Sequence, residues 1–168
     1  LKESNGYIKK VYIKKSLPRK LLINIEEYTP LYIGYSSESC LLFADTGELI
    51  STICEECEAE CTQYVSDHNY TLITSESLLE SGGKLIYYEE VYKVERVLST
   101  FKYEINSLEI SEGISIFKDR DNHSFIFDLT NNLETQLARM LLIGEKINED
   151  MIKYSSIDLR FERPVMEL

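Results

Sequence analysis

The residues with the most chemical potential lie in one short stretch, Cys54-Glu-Glu-Cys57-Glu-Ala-Glu-Cys61, with Asp67-His68 a little further on. If the stretch were helical, positions 54, 57 and 61 would share a face. Three thiolates, with Cys40 or His68 as the fourth ligand, would then make a tetrahedral zinc site. Two disulfides, with three possible pairings among the four cysteines, account for the same residues, and so do small buried thiols. The Cys-x-x-Cys element has no second matching pair, which weakens it as a metal signal. Its four interspersed glutamates raise thiol pKa values and oppose redox catalysis. Disulfide or plain thiol therefore ranks above zinc, and zinc above redox chemistry, with Cys54, Cys57 and Cys61 as weak metal candidates.

Other catalytic groupings are sparse. The two histidines, His68 and His123, sit in polar stretches with no Gly-x-Ser-x-Gly elbow to serve. Gly82-Gly83-Lys84 lacks the upstream Gly and downstream Ser/Thr of a phosphate loop. Asp119-Arg-Asp-Asn-His123 offers possible metal ligands, but it falls between two strand patterns and reads better as a solvated hairpin tip. No carboxylate pair is marked out for divided acid and base roles. The expectation is a protein that is not an enzyme and uses no cofactor.

The chain of 168 residues is 43% hydrophobic, enough to bury a core in one domain or one domain plus a fragment. Twelve tyrosines with few glycines and prolines suit a strand-rich or mixed globule rather than a disordered chain. The net charge of −11 is uneven: residues 1–33 carry +4 and the remainder −15. An acidic body does not neutralise phosphates, so nucleic acid is not an expected partner. No apolar run reaches the length that spans a bilayer, and the opening Leu1-Lys-Glu-Ser-Asn is no signal peptide. The missing initiator Met suggests a piece of a longer protein.

The elements follow from periodicity. Residues 7–28 read as a hairpin: Ile8, Val11 and Ile13 run among lysines, and after Ser16-Leu17-Pro18-Arg19 the residues Leu21, Ile23 and Ile25 alternate with Leu22, Asn24 and Glu26. One face should be wet and basic. Short strands follow over 31–35, 40–44 and 49–53, with Asp45-Thr46-Gly47-Glu48 as a tight turn. Another strand is expected over 70–73. Val91, Val94, Leu98 and Phe101 have helical spacing, and three strands over 103–110, 114–118 and 124–129 form a meander. Asn131 and Glu134 resemble a capping box for a helix striped by Leu133, Leu137, Met140 and Leu141, which should stop near Gly144. Ile157-Asp158-Leu159-Arg160-Phe161 alternates as a last strand, and Pro164 beyond it suits a sheet edge, where another chain could pair.

Two sets of words carry a resemblance. Val11-x-Ile13-x-x-x-Leu17-Pro18-x-x-Leu21-x-Ile23-x-Ile25-Glu26-Glu27-x-x-Pro30 is similar to the last two strands of the POTRA domain in the FtsQ/DivIB family of bacterial cell-division proteins, with Tyr28 where Arg is usual. Tyr154-x-x-Ile157-Asp158-Leu159-Arg160-Phe161 looks like the end of the same family's extracytoplasmic domain. The likeness covers about residues 7–50 and 85–163 and lapses over the cysteine stretch. It implies an α+β chain: residues 1–33 as the C-terminal part of a POTRA-like domain, and 34–168 as a curved, mainly antiparallel sheet with a few helices packed on it.

The resemblance also implies a function. The chain would be a non-enzymatic divisome scaffold supporting septum formation, on the outer side of the cytoplasmic membrane and anchored there by an upstream helix. FtsB/DivIC-like and FtsL-like partners would bind by β-augmentation, adding a strand to the C-terminal edge. Arg160 would be a charged anchor and Phe161 an apolar one, with Ser155, Ser156 and Val165 as neighbours. The alternatives are a POTRA-type chaperone of outer-membrane or secreted polypeptides and a small metal-binding or redox domain built on the cysteines.

Overall fold

The computed structural model describes residues 6–16, 19–36, 39–55, 58–80, 82–150 and 152–168. The alternation near the start produces β1 (Ile8–Ser16) and β2 (Lys20–Glu27), an antiparallel ribbon separate from the rest of the sheet structure. Its register places Val11 opposite Ile25 and Ile13 opposite Ile23, so the apolar residues gather on one face. That face is bare: Ile13 is 64% exposed and Ile25 52%. The expected hairpin is thus present, but both faces are wet rather than one. Leu17 and Pro18, expected in its turn, lie outside the described residues.

The remaining strands join one nine-stranded sheet. They are β3 (Pro30–Tyr35), β4 (Ser39–Ala44), β5 (Leu49–Glu55), β6 (Thr71–Ser75), β7 (Ile105–Ser111), β8 (Ile114–Asp119), β9 (Ser124–Asp128), β10 (Ser156–Asp158) and β11 (Val165–Glu167). The order across the sheet is β11-β10-β9-β8-β7-β6-β3-β4-β5. Five of its junctions are antiparallel and three parallel, giving the curved, mainly antiparallel α+β sheet that was expected. This sheet begins at Pro30, a few residues before the boundary expected after residue 33.

Parallel neighbours need crossovers, which the helices supply. α1 (Glu58–His68) connects β5 to β6, and α2 (Tyr88–Thr100) connects β6 to β7; α3 (Leu133–Asp150) follows β9. Strand alternation divides the core. Tyr32, Phe43, Leu108, Phe117, Phe125 and Phe127 pack with α2 and α3 on one face. Ile33, Cys40, Leu42 and Ala44 pack with Cys61 of α1 on the other.

The cysteine stretch is not one helix. Cys54 lies on β5 and Cys61 on α1, and Cys61 is joined by a disulfide to Cys40 of β4. Cys54 is disulfide-bonded as well, and Cys57 lies outside the described residues. Two of the three weak metal candidates are therefore consumed by disulfides. That overturns a zinc centre on Cys54 and Cys61, because a disulfide sulfur carries no thiolate to give a metal.

α3 also departs from expectation. It continues through Gly144 to Asp150, and Ile147 extends its buried stripe, whereas Leu141 is 41% exposed. Gly144 is a contact residue rather than a cap, since a Cβ there would fall 2.5–2.7 Å from the Phe101 ring atoms. The capping box does not form: Glu134 pairs with Lys93 of α2 at 2.7 Å, and the amides of Thr135 and Gln136 bond the Asn132 carbonyl. Buried Gln136 instead exchanges two hydrogen bonds with the Asp128 backbone, tying α3 to the end of β9.

Candidate partner-binding edge

The residues expected to bind a partner converge at the β11 end of the sheet. Tyr154 anchors the approach: its ring stacks on His123 at 4.7 Å, and its hydroxyl donates to Tyr103 at 2.6 Å. Burial pushes the Tyr154 phenol far above its usual value, so it remains a neutral donor. His123 is itself fixed, with Nδ1 2.8 Å from Asp119 Oδ2. Asp119 Oδ1 accepts the amides of Asp121 and His123, so the expected solvated tip is closed by a carboxylate only 3% exposed. The ligand atoms of Asp119, Asp121 and His123 lie within 4.8 Å of one another, but both Asp119 oxygens already serve the turn.

From this anchor the chain enters β10, which is paired on both sides. Ile157 lies beside Phe125 of parallel β9 and Met166 of antiparallel β11. The strand expected to reach Phe161 stops at Asp158, and it is not the sheet edge. Asp158 is the physical reason. Its carboxylate accepts the Arg160 amide at 3.1 Å and clasps the Arg160 guanidinium with contacts of 3.0 Å and 2.6 Å, turning the chain out of the sheet. Arg160 is therefore not a free charged anchor. Its guanidinium also lies 5.5 Å from the centre of the Phe161 ring.

Phe161 stands at the top of this bend, 52% exposed, with its backbone carbonyl accepting Arg139 Nη1 of α3 at 2.8 Å. The chain then passes Pro164 and returns as β11, where Val165 is 50% exposed and Met166 packs against the core. Ser155 and Ser156 sit opposite the end of β11. The Ser155 amide donates to the Glu167 carbonyl at 2.8 Å, and Ser156 Oγ donates to the Glu167 carboxylate at 3.0 Å. The two serines are latches between strands, while Phe161 and Val165 are the exposed apolar residues.

The open edge is thus β11, one strand later than expected. Among the described residues no strand lies beyond it. The opposite edge, β5, differs: the Leu49 amide donates to the Gly83 carbonyl at 2.9 Å, and Gly6 approaches so closely that a Cβ would collide with the Ile50 carbonyl. Sequence reasoning missed β11 because Val165-Met166-Glu167 is too short for alternation to register and follows a proline. No family model and no curated protein matches the chain.

Proposed function

We propose that this chain is a non-enzymatic, extracytoplasmic recruitment domain that binds a partner polypeptide by strand addition along β11. The observation that carries this reading is an edge strand with no further strand beyond it among the described residues, beside two exposed apolar side chains, Phe161 and Val165. Main-chain bonds supply affinity in this mode, and side chains near the edge set the register. The partners are FtsB/DivIC-like and FtsL-like divisome proteins, following the resemblance to the FtsQ/DivIB family, and the role is support of septum formation.

Two features favour the wider assignment. The Cys40–Cys61 disulfide suits an oxidising compartment outside the cytoplasm. The β1–β2 ribbon has an uncovered apolar face, as the last two strands of a POTRA domain would have apart from their helices. No helix among the described residues is long and apolar enough to cross a membrane.

The test is a pull-down with an immobilised DivIC- or FtsB-type extracytoplasmic segment. Wild type should be retained, and Phe161→Ala should lower affinity by about tenfold, as for loss of one interface anchor. Lack of retention of the folded wild-type protein would refute the partner assignment.

A further inference from the structure

A second surface, on the opposite side of α2 from α3, has no part in strand addition. β3, the β4–β5 turn and α2 enclose an open cleft of about 450 Å³. Its walls carry the Tyr88 and Tyr92 rings, stacked with centroids 6.1 Å apart, and its floor carries Tyr32 and Glu95. Tyr32 is fully buried and donates its hydroxyl to Glu95 Oε2 at 2.6 Å. Asp45 and Thr46 form the opposite lip.

The charges here do not balance. Among the described residues neither Glu95 nor Asp45 has a cation in ion-pairing contact. The nearby cations are engaged elsewhere: Lys84 Nζ pairs with Glu89 at 2.7 Å and lies 4.6 Å from the Tyr88 centroid, and the Arg96 guanidinium lies 5.9 Å from that of Tyr92. Ring faces that already draw cations, beside a desolvated carboxyl, match an alkylammonium group: a cation with N–H donors and an apolar stem.

We propose that this cleft binds a primary alkylammonium group, with Glu95 as its counter-ion and Tyr88 and Tyr92 as walls for the stem. The group has two sources, a free diamine or a lysine side chain of another polypeptide. Binding is linked to protons. Desolvation raises the Glu95 carboxyl to about 7, the Tyr32 hydrogen bond opposing it, so an arriving ammonium displaces a proton. The groups facing Glu95 are Tyr32 from β3, Asp45 from the turn, and Tyr88, Tyr92 and Arg96 from α2; desolvation raises the Tyr88 phenol to about 12, leaving it neutral.

The experiment is calorimetric titration of the whole chain with cadaverine, with an acetylated and amidated Gly-Lys-Gly peptide, and with n-pentanol as the uncharged control. Cadaverine should bind with an affinity that rises as pH climbs through about 7, with proton release. Binding of the peptide as well identifies a side-chain source; binding of cadaverine alone identifies a free diamine. Glu95→Gln should weaken either by about tenfold, the loss of one charge-assisted contact. The proposal is overturned if neither amine binds, if n-pentanol binds equally well, or if Glu95→Gln binds like wild type. Met166→Pro, which disrupts the β11 edge, should leave cadaverine binding intact, so this result is independent of partner recruitment.

Discussion

The backbone carbonyl of Glu167 accepts the amide of Ser155 at 2.8 Å, and that bond sets the direction in which the last strand is open. A strand residue turns its N–H and C=O to the same side, and neighbouring residues turn theirs to opposite sides. With Glu167 facing β10, Met166 presents both backbone groups away from the sheet. The side chain of Met166 meanwhile packs inward, so the residue that offers the main-chain bonds also secures the strand.

Met166→Pro and Met166→Ala separate those two roles. Both truncate the packed side chain, but only proline removes the outward N–H. Partner affinity should survive in the alanine variant and fall by about tenfold or more in the proline variant, as measured by biolayer interferometry. Equal loss in the two variants would show that β11 contributes packing and no hydrogen bonds.

The Asp158–Arg160 clasp should matter little for stability. The Arg160 side chain is 31% and that of Asp158 14% exposed, so the pair is partly buried at the surface, and with the guanidinium still in contact with water it contributes on the order of 1 kcal/mol. Arg160→Ala should shift the urea midpoint only slightly while loosening the position of Phe161. A shift beyond about 2 kcal/mol would mean that the bend supports the core.

The disulfide should matter more. Cys40 and Cys61 are separated by 21 positions with Cα atoms 5.8 Å apart. Closing a loop of that length restricts the unfolded chain by about 3 kcal/mol. The Cys40→Ala/Cys61→Ala protein should lose stability of that order in chemical denaturation and free α1 from β4. An unchanged midpoint would contradict the assigned pairing.

Glu95 gives the fold an unusual pH response. Its carboxyl is raised to about 7 from 4.5 by desolvation, so the folded chain holds a proton that the unfolded chain has released. This contribution is therefore complete below pH 4.5 and declines as pH rises to about 7. Glu95→Gln keeps a neutral side chain throughout and should be more stable than wild type above pH 7, by roughly 1–3 kcal/mol. A parallel pH dependence of the two melting temperatures would refute the assignment.

Gly144→Ala offers a test of packing with a sign opposite to helix propensity. Alanine favours a helix over glycine by about 1 kcal/mol, but here its methyl group collides with the Phe101 ring. Overpacking of this kind costs about 1–3 kcal/mol, so net destabilisation is expected in thermal denaturation. Adding Phe101→Leu should restore much of the loss.

The larger elements could be read from the sequence because single-face burial leaves a periodic trace. Val91, Val94 and Leu98 mark α2, and the alternation over residues 105–128 marks the meander. Elements were misread where a long-range contact overrules a local signal. Gly144 resembles a helix stop, yet its partner is Phe101, remote in sequence; Cys54 and Cys61 resemble a metal-binding face, yet Cys61 bonds Cys40 across the sheet. The candidate site was only half visible. Phe161 and Val165 emerge exposed, but the side chain of Asp158 ends the strand early, and a three-residue strand after a proline leaves no periodicity to detect.

The central claim, that β11 receives a foreign strand, is tested most directly by amide hydrogen exchange of the chain alone and in complex with a DivIC- or FtsB-type segment. The account predicts that the Met166 amide exchanges freely in the isolated chain and becomes strongly protected in the complex, while core amides such as that of Phe117 stay protected in both. A complex in which the Met166 amide exchanges as fast as before would contradict it.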